Sequence, residues 1–147
     1  MPNWVTNAEL FHSIGNADGS DGWRCMVGWH LDCYYDTAQT INNQAIVVRS
    51  IAIPQNAIFD FDIVVTILND VADKGGRISG VGTIARGAGN VFRPAAINTA
   101  SVKNLGNSAI DVLANTSTQA ADIQVEGTTN GAGVINWRVW TLVRRSA

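Results

Sequence analysis

Phe59-Asp60-Phe61-Asp62-Ile63-Val64-Val65-Thr66-Ile67-Leu68 carries the clearest alternation in the chain. Phe59, Phe61, Ile63, Val65 and Ile67 fall on one face, and Asp60, Asp62, Val64, Thr66 and Leu68 on the other. Successive side chains of a strand point to opposite sides, so this period of two predicts a strand with one buried face. Pro54-Gln55-Asn56 turns the chain into it, and the polar run from Asn69 to Gly76 leads out.

The same signals recur on either side. Residues 45–53 form an apolar run closed by Pro54. Residues 77–86 read as a strand with Gly80 and Gly82 on the same face as Ile78 and Ile84; bare glycines there predict a close approach by another backbone, or a bulge. Residues 96–105, 109–114, 122–126 and 134–143 complete a series of short strands with turn residues about every ten positions. Upstream, every odd position from Trp23 to Tyr35 (Trp23, Cys25, Val27, Trp29, Leu31, Cys33 and Tyr35) is large, apolar or Cys, which predicts one long strand over 23–35 buried on its odd-numbered face. Composition agrees: Val, Ile and Thr number 40 of 147 residues, against 12 for Leu, Met, Glu and Lys together, so a helix bundle is excluded.

The expected architecture is all-β: an antiparallel β-sandwich, jelly-roll-like, over residues 23–147, with residues 1–22 as an N-terminal arm and loop. Trp29, Phe61, Ile63, Trp137 and Val139 are the expected core. Residues 45–53 and 134–143 are apolar on both faces, which predicts a symmetric subunit interface. Trp4, Leu10, Phe11 and Trp140 are the residues expected to make contacts beyond the domain.

Candidate chemistry is sparse. His12 falls in the arm, and His30 points away from the predicted buried face. No Gly-x-Ser-x-Gly elbow occurs, and both cysteines read as buried. On one straight strand Cys25 and Cys33 are about 26 Å apart, too far for a disulfide, so free thiols are expected. Asp60 and Asp62 share a face, for which a solvated strand surface is the simple account. Asp18-Gly19-Ser20-Asp21-Gly22 lacks the ligand set of a calcium loop. Gly80-Val81-Gly82-Thr83-Ile84-Ala85 matches a loose dinucleotide fingerprint, but inside a strand and with no helix following. Asn115-Thr116-Ser117 is a glycosylation sequon. The expectation is no catalytic residue, no cofactor and no metal. A net charge of −2 supplies no basic field for nucleic acid or a membrane surface. The first 20 residues lack the pattern of a signal peptide, so synthesis in a cytoplasm is expected.

An ordered series of short motifs adds to this reading. Ile53-Pro54-Gln55-Asn56 closes one strand, residues 59–68 follow, and Lys74-Gly75-Gly76-Arg77 opens a glycine-rich strand ending near Arg86. The last pair is the most specific: Ile123-Gln124-Val125-Glu126-Gly127, a Thr/Gly/Asn loop, then Ile135-Asn136-Trp137-Arg138-Val139. In this order, residues 45–143 resemble a β-sandwich module of bacteriophage tail-fibre and other virion proteins. Glu126 stands where that family often has Thr, and the first 44 residues have no counterpart. The resemblance implies a homotrimer without catalytic residues, made in the host cytoplasm and carried in the virion. With no shaft in the chain, it implies a capsid decoration (cement) protein contacting the major capsid protein or another virion protein. The alternatives are a tail-fibre tip or adhesin that binds host surface glycans, and a non-viral lectin-like module.

Overall fold

The computed structural model describes residues 11–13, 23–25, 30–41, 44–69, 73–106, 108–127 and 134–146. Among these residues there are eleven strands and no helix. They are β1 (Phe11–Ser13), β2 (Trp23–Cys25), β3 (His30–Thr40), β4 (Gln44–Ala52), β5 (Ala57–Asn69), β6 (Lys74–Arg86), β7 (Val91–Phe92), β8 (Asn98–Lys103), β9 (Ser108–Asn115), β10 (Ala120–Gly127) and β11 (Ile135–Arg145). The large sheet runs β1-β2-β3-β11-β5-β6-β7, with β8 also paired to β6; the small sheet runs β4-β10-β9. Every pairing is antiparallel.

The two sheets pack face to face as a sandwich. From β5 the large sheet contributes Phe59, Phe61, Ile63, Val65 and Ile67, and from β11 it adds Ile135, Trp137, Val139 and Val143, all buried. The small sheet answers with Ile110, Val112, Ile123 and Val125. Thus Phe61, Ile63, Trp137 and Val139 lie in the core, while Trp29 falls outside the described residues. Because β3 pairs with β11 and β4 with β10, the first and last crossings between the sheets lie side by side. The β5–β6 and β9–β10 hairpins each stay within one sheet, where a full jelly roll would cross.

The structure corrects the reading of residues 23–35. They form two antiparallel strands, with Trp23 paired to Cys33 and Arg24 to Asp32. Cys25 therefore lies on the strand beside that of Cys33, not at the far end of one straight strand. The facing of β3 is also reversed. Asp32 and Thr40 are buried and Tyr34, Asp36 and Ala38 half-buried, whereas Tyr35, Thr37 and Gln39 are exposed. The physical reason lies in two ion pairs. Asp32, 2% exposed, meets Arg145 Nε at 2.7 Å. Asp36 accepts two hydrogen bonds from Arg49, Nε to Oδ2 and Nη2 to Oδ1, each 2.8 Å. The Arg49 guanidinium also covers the Tyr34 ring, 4.4 Å from its centroid. Phe11–Ser13, read as part of an arm, is instead the edge strand of the large sheet.

Residues 45–53 need a different account too. Arg49 pairs with Ile123 and Val47 with Gln124, so Val48 is an extra residue in a bulge. The bulge switches which parity faces inward. Ile46, Val48 and Ile51 all pack against the core, and Ile53 is buried beyond them. The run is apolar at odd and even positions partly because its inward face changes parity midway; Val47 nevertheless stays exposed on the outward face.

Glycines mark where the sheets meet closely. A Cβ on Gly82 would lie 2.4 Å from the Ile97 side chain, and one on Gly80 3.0 Å from that of Ile110. A close backbone approach or a bulge was expected; the space is filled by isoleucine side chains. At Gly127 a Cβ would come within 2.6 Å of Ile135 and 2.9 Å of both Thr40 Oγ1 and the Trp137 ring. Trp137 Nε1 donates to Thr40 Oγ1 at 2.8 Å in this same knot.

Gly127→Ala is expected to cost about 1–3 kcal/mol by overpacking, read as a lowered urea midpoint. Arg49→Met leaves the half-buried Asp36 carboxylate without this partner and should cost about 2 kcal/mol, while Asp36→Leu/Arg49→Met should return to within about 1 kcal/mol of the parent. Equal losses in the single and double variants would refute the clasp.

Candidate functional site

The outward residues of the large sheet stack in rows across its strands. The middle row is Tyr35, Trp140, Val64, Ser79 and Ala100. The row on one side is Cys33, Leu142, Asp62, Val81 and Asn98; on the other it is Thr37, Arg138, Thr66, Arg77 and Val102. Beyond that second row lie Gln39, Asn136 and Leu68.

The centre of this face is apolar and open. Tyr35 is 42% exposed and Trp140 43%, and their rings are tilted by 41° with centroids 5.2 Å apart. Val81 is also exposed, with Val64 and Leu142 half-buried beside them. Trp140 is thus the one expected contact residue whose side chain is described. Trp4 and Leu10 lie outside the described residues, and only the backbone of Phe11 is placed, in β1. Tyr35 was missed because the sequence pattern put it on the buried face.

Charges are arranged differently at the two ends. Toward one end, Asp62 pairs with Arg144 at 2.5 Å, and Asp60 accepts from the Thr83 hydroxyl at 2.8 Å. Asp60 and Asp62 do share the outward face, but each carboxylate has its own partner. Toward the other end, Arg138 and Arg77 are exposed and make no ion pair or hydrogen bond to another described residue. Here a trough of about 590 Å³ runs over β3, β11 and β5, lined by Thr37, Gln39, Thr66, Leu68, Asn136 and Arg138 among others. Gln39 Nε2 donates to Asn136 Oδ1 at 2.8 Å across it. Two further depressions, of about 380 and 500 Å³, lie along the same face around Asp62 and Val81. A pocket of several hundred Å³ suits a small ligand.

No group of three or more metal-ligating side chains occurs among the described residues. The Asp18–Gly22 loop lies outside them. Gly80 to Ala85 lie within β6. The sequon forms a turn: Asn115 Oδ1 accepts from the backbone N–H of Ser117 at 3.1 Å and of Thr118 at 3.3 Å, joining β9 to β10.

Cys33 is half-buried beside Leu142. Burial raises its pKa above the ordinary thiol value, and the neighbouring Asp32 carboxylate adds to this. No protein-family model matches the chain, and no curated protein matches it significantly.

The raised thiol pKa gives a pH prediction. In a Cys25→Ser background, iodoacetamide should alkylate Cys33 more slowly than free cysteine at neutral pH, with the rate still climbing above about pH 8.5. The unfolded chain loses this proton first. The associated stability is therefore complete below that pH and falls as pH rises through the folded value. A rate equal to that of free cysteine at neutral pH would remove this assignment.

Proposed function

We propose that the chain is a structural protein of a bacteriophage virion, a capsid decoration protein that binds through the outer face of its large sheet. The observation that carries this is the open Tyr35–Trp140 pair at the centre of that face, flanked by Val64, Val81 and Leu142. Contiguous exposed apolar surface marks sites of protein contact, and aromatic residues are enriched at their centres. The occupants proposed are further copies of this chain in a homotrimer and the major capsid protein or another virion protein. The order of motifs over residues 45–143 supports the virion assignment. Binding rather than catalysis is favoured because the carboxylates of the face are engaged by Arg144 and Thr83.

A second reading, a tail-fibre tip or adhesin for host glycans, is favoured by one specific feature. The trough beside the aromatic pair presents amides, hydroxyls and a guanidinium, the donors and acceptors a sugar needs. A non-viral lectin would use the same surface.

Sedimentation should give the mass of a trimer at micromolar concentration. Trp140→Ser combined with Tyr35→Ser should reduce it to a monomer and abolish attachment to shells of the major capsid protein, with the thermal midpoint little changed. A monomeric parent that ignores such shells would overturn the decoration reading.

A further inference from the structure

We infer that the trough over β3, β11 and β5 binds an acidic saccharide, with the Arg138 guanidinium taking the sugar carboxylate. Two features of the trough point to this class.

The first is charge. Arg138 is exposed and makes no ion pair or hydrogen bond with another described residue, and Arg77 lies in the same row, with Thr66 between them. Along the outward face Asp62 and Asp60 are already held by Arg144 and Thr83, and Asp73 lies in the turn before β6, four residues from Arg77. Arg138 and Arg77 thus stand as two open outward cations on a chain of net charge −2. A guanidinium presents a planar fork that matches a carboxylate with two parallel hydrogen bonds.

The second is the rest of the lining. Gln39, Asn136, Thr37 and Thr66 are uncharged and each both donates and accepts. Such a set fits a partner rich in hydroxyls. A site for phosphate alone would gather several cations or a nest of backbone N–H groups; this trough is lined by a single arginine.

The inference rests on the second reading, a sugar held in this trough, and narrows it to acidic sugars; it does not depend on the decoration reading. Arg138 and Gln39 lie outside the aromatic band, so variants there separate sugar binding from assembly. The test is titration calorimetry of the full chain with oligogalacturonate, the neutral galacto-oligosaccharide, inorganic phosphate and poly-glutamate. Oligogalacturonate should bind with a Kd on the order of millimolar or tighter, and the neutral sugar about tenfold or more weaker. Arg138→Gln should weaken acidic-sugar binding about tenfold and Gln39→Ala severalfold, with oligomer mass, shell attachment and melting temperature unchanged. Three outcomes would overturn the inference: no binding of oligogalacturonate, equal binding of phosphate or poly-glutamate, or an Arg138→Gln variant that binds like the parent. A monomeric parent that fails to attach to shells yet binds the acidic sugar would overturn decoration and leave this inference standing.

Discussion

Asp32 and Asp36 point into the sandwich, and the rest of the structure follows from how they are held. A one-residue change of facing would turn every side chain of β3 to the other side of the sheet. Facing them inward is costly unless each carboxylate is paired. Arg145 meets Asp32 from the neighbouring strand, and Arg49 grips Asp36 from the opposite sheet. With those partners in place, Tyr34 goes inward under the Arg49 guanidinium and Tyr35 goes outward onto Trp140. The Asp36–Arg49 pair also ties β3 to β4, one of the places where the chain passes between sheets. One electrostatic choice thus sets both a join of the sandwich and the composition of its outer face.

Closure of the two sheets uses a complementary device. Large inward side chains on one sheet meet small ones on the other. Ile110 of β9 and Ile97 of the loop before β8 occupy the space over Gly80 and Gly82, and Trp137 lies where Gly127 has no side chain. The bulge in β4 belongs to the same scheme. Without the extra residue at Val48, Arg49 would share the outward parity of Val47 and could not reach Asp36. The bulge is what brings the clasp inside while keeping Ile46 and Ile51 against the core.

These features explain what was legible in the sequence. β5 could be read directly because Phe59, Phe61, Ile63, Val65 and Ile67 are all apolar while Asp60, Asp62 and Thr66 mark the other face, so periodicity alone decides its facing. β11 was legible for the same reason on its inner side, where Ile135, Trp137, Val139 and Val143 alternate. β3 was misread because its odd positions, Leu31, Cys33 and Tyr35, are more apolar than Asp32 and Asp36. Pattern counts an inward aspartate as an error; the structure makes it acceptable with arginines from β4 and from the end of β11. No local signal shows those partners. The pairing of β2 with β3 was hidden because every odd position from Trp23 to Tyr35 is large, apolar or Cys. The apolar run at both parities of residues 45–53 reflects in part the bulge, which turns Ile46, Val48, Ile51 and Ile53 all inward, while Val47 stays exposed. Of the candidate surface, Trp140 was found from the second face of β11. Tyr35 and the open arginines became visible only through cross-strand register.

The position of β11 explains how one strand serves both fold and surface. It is central in the large sheet, paired with β3 on one side and β5 on the other. Its odd residues build the core: Trp137 bonded to Thr40, Val139 and Val143 fully buried. Its even residues, Asn136, Arg138, Trp140, Leu142 and Arg144, run in order along the outer face from the open basic end, across the aromatic centre, to the end where Asp62 is neutralised. Because side chains on opposite faces do not touch, changes on the outward set can alter what the surface binds while leaving the inward packing intact. The two pairing neighbours hold that outward set in fixed register against Gln39, Tyr35, Val64 and Thr66. The surface is therefore preorganised by backbone pairing, and little ordering entropy remains to be lost when a partner settles on it.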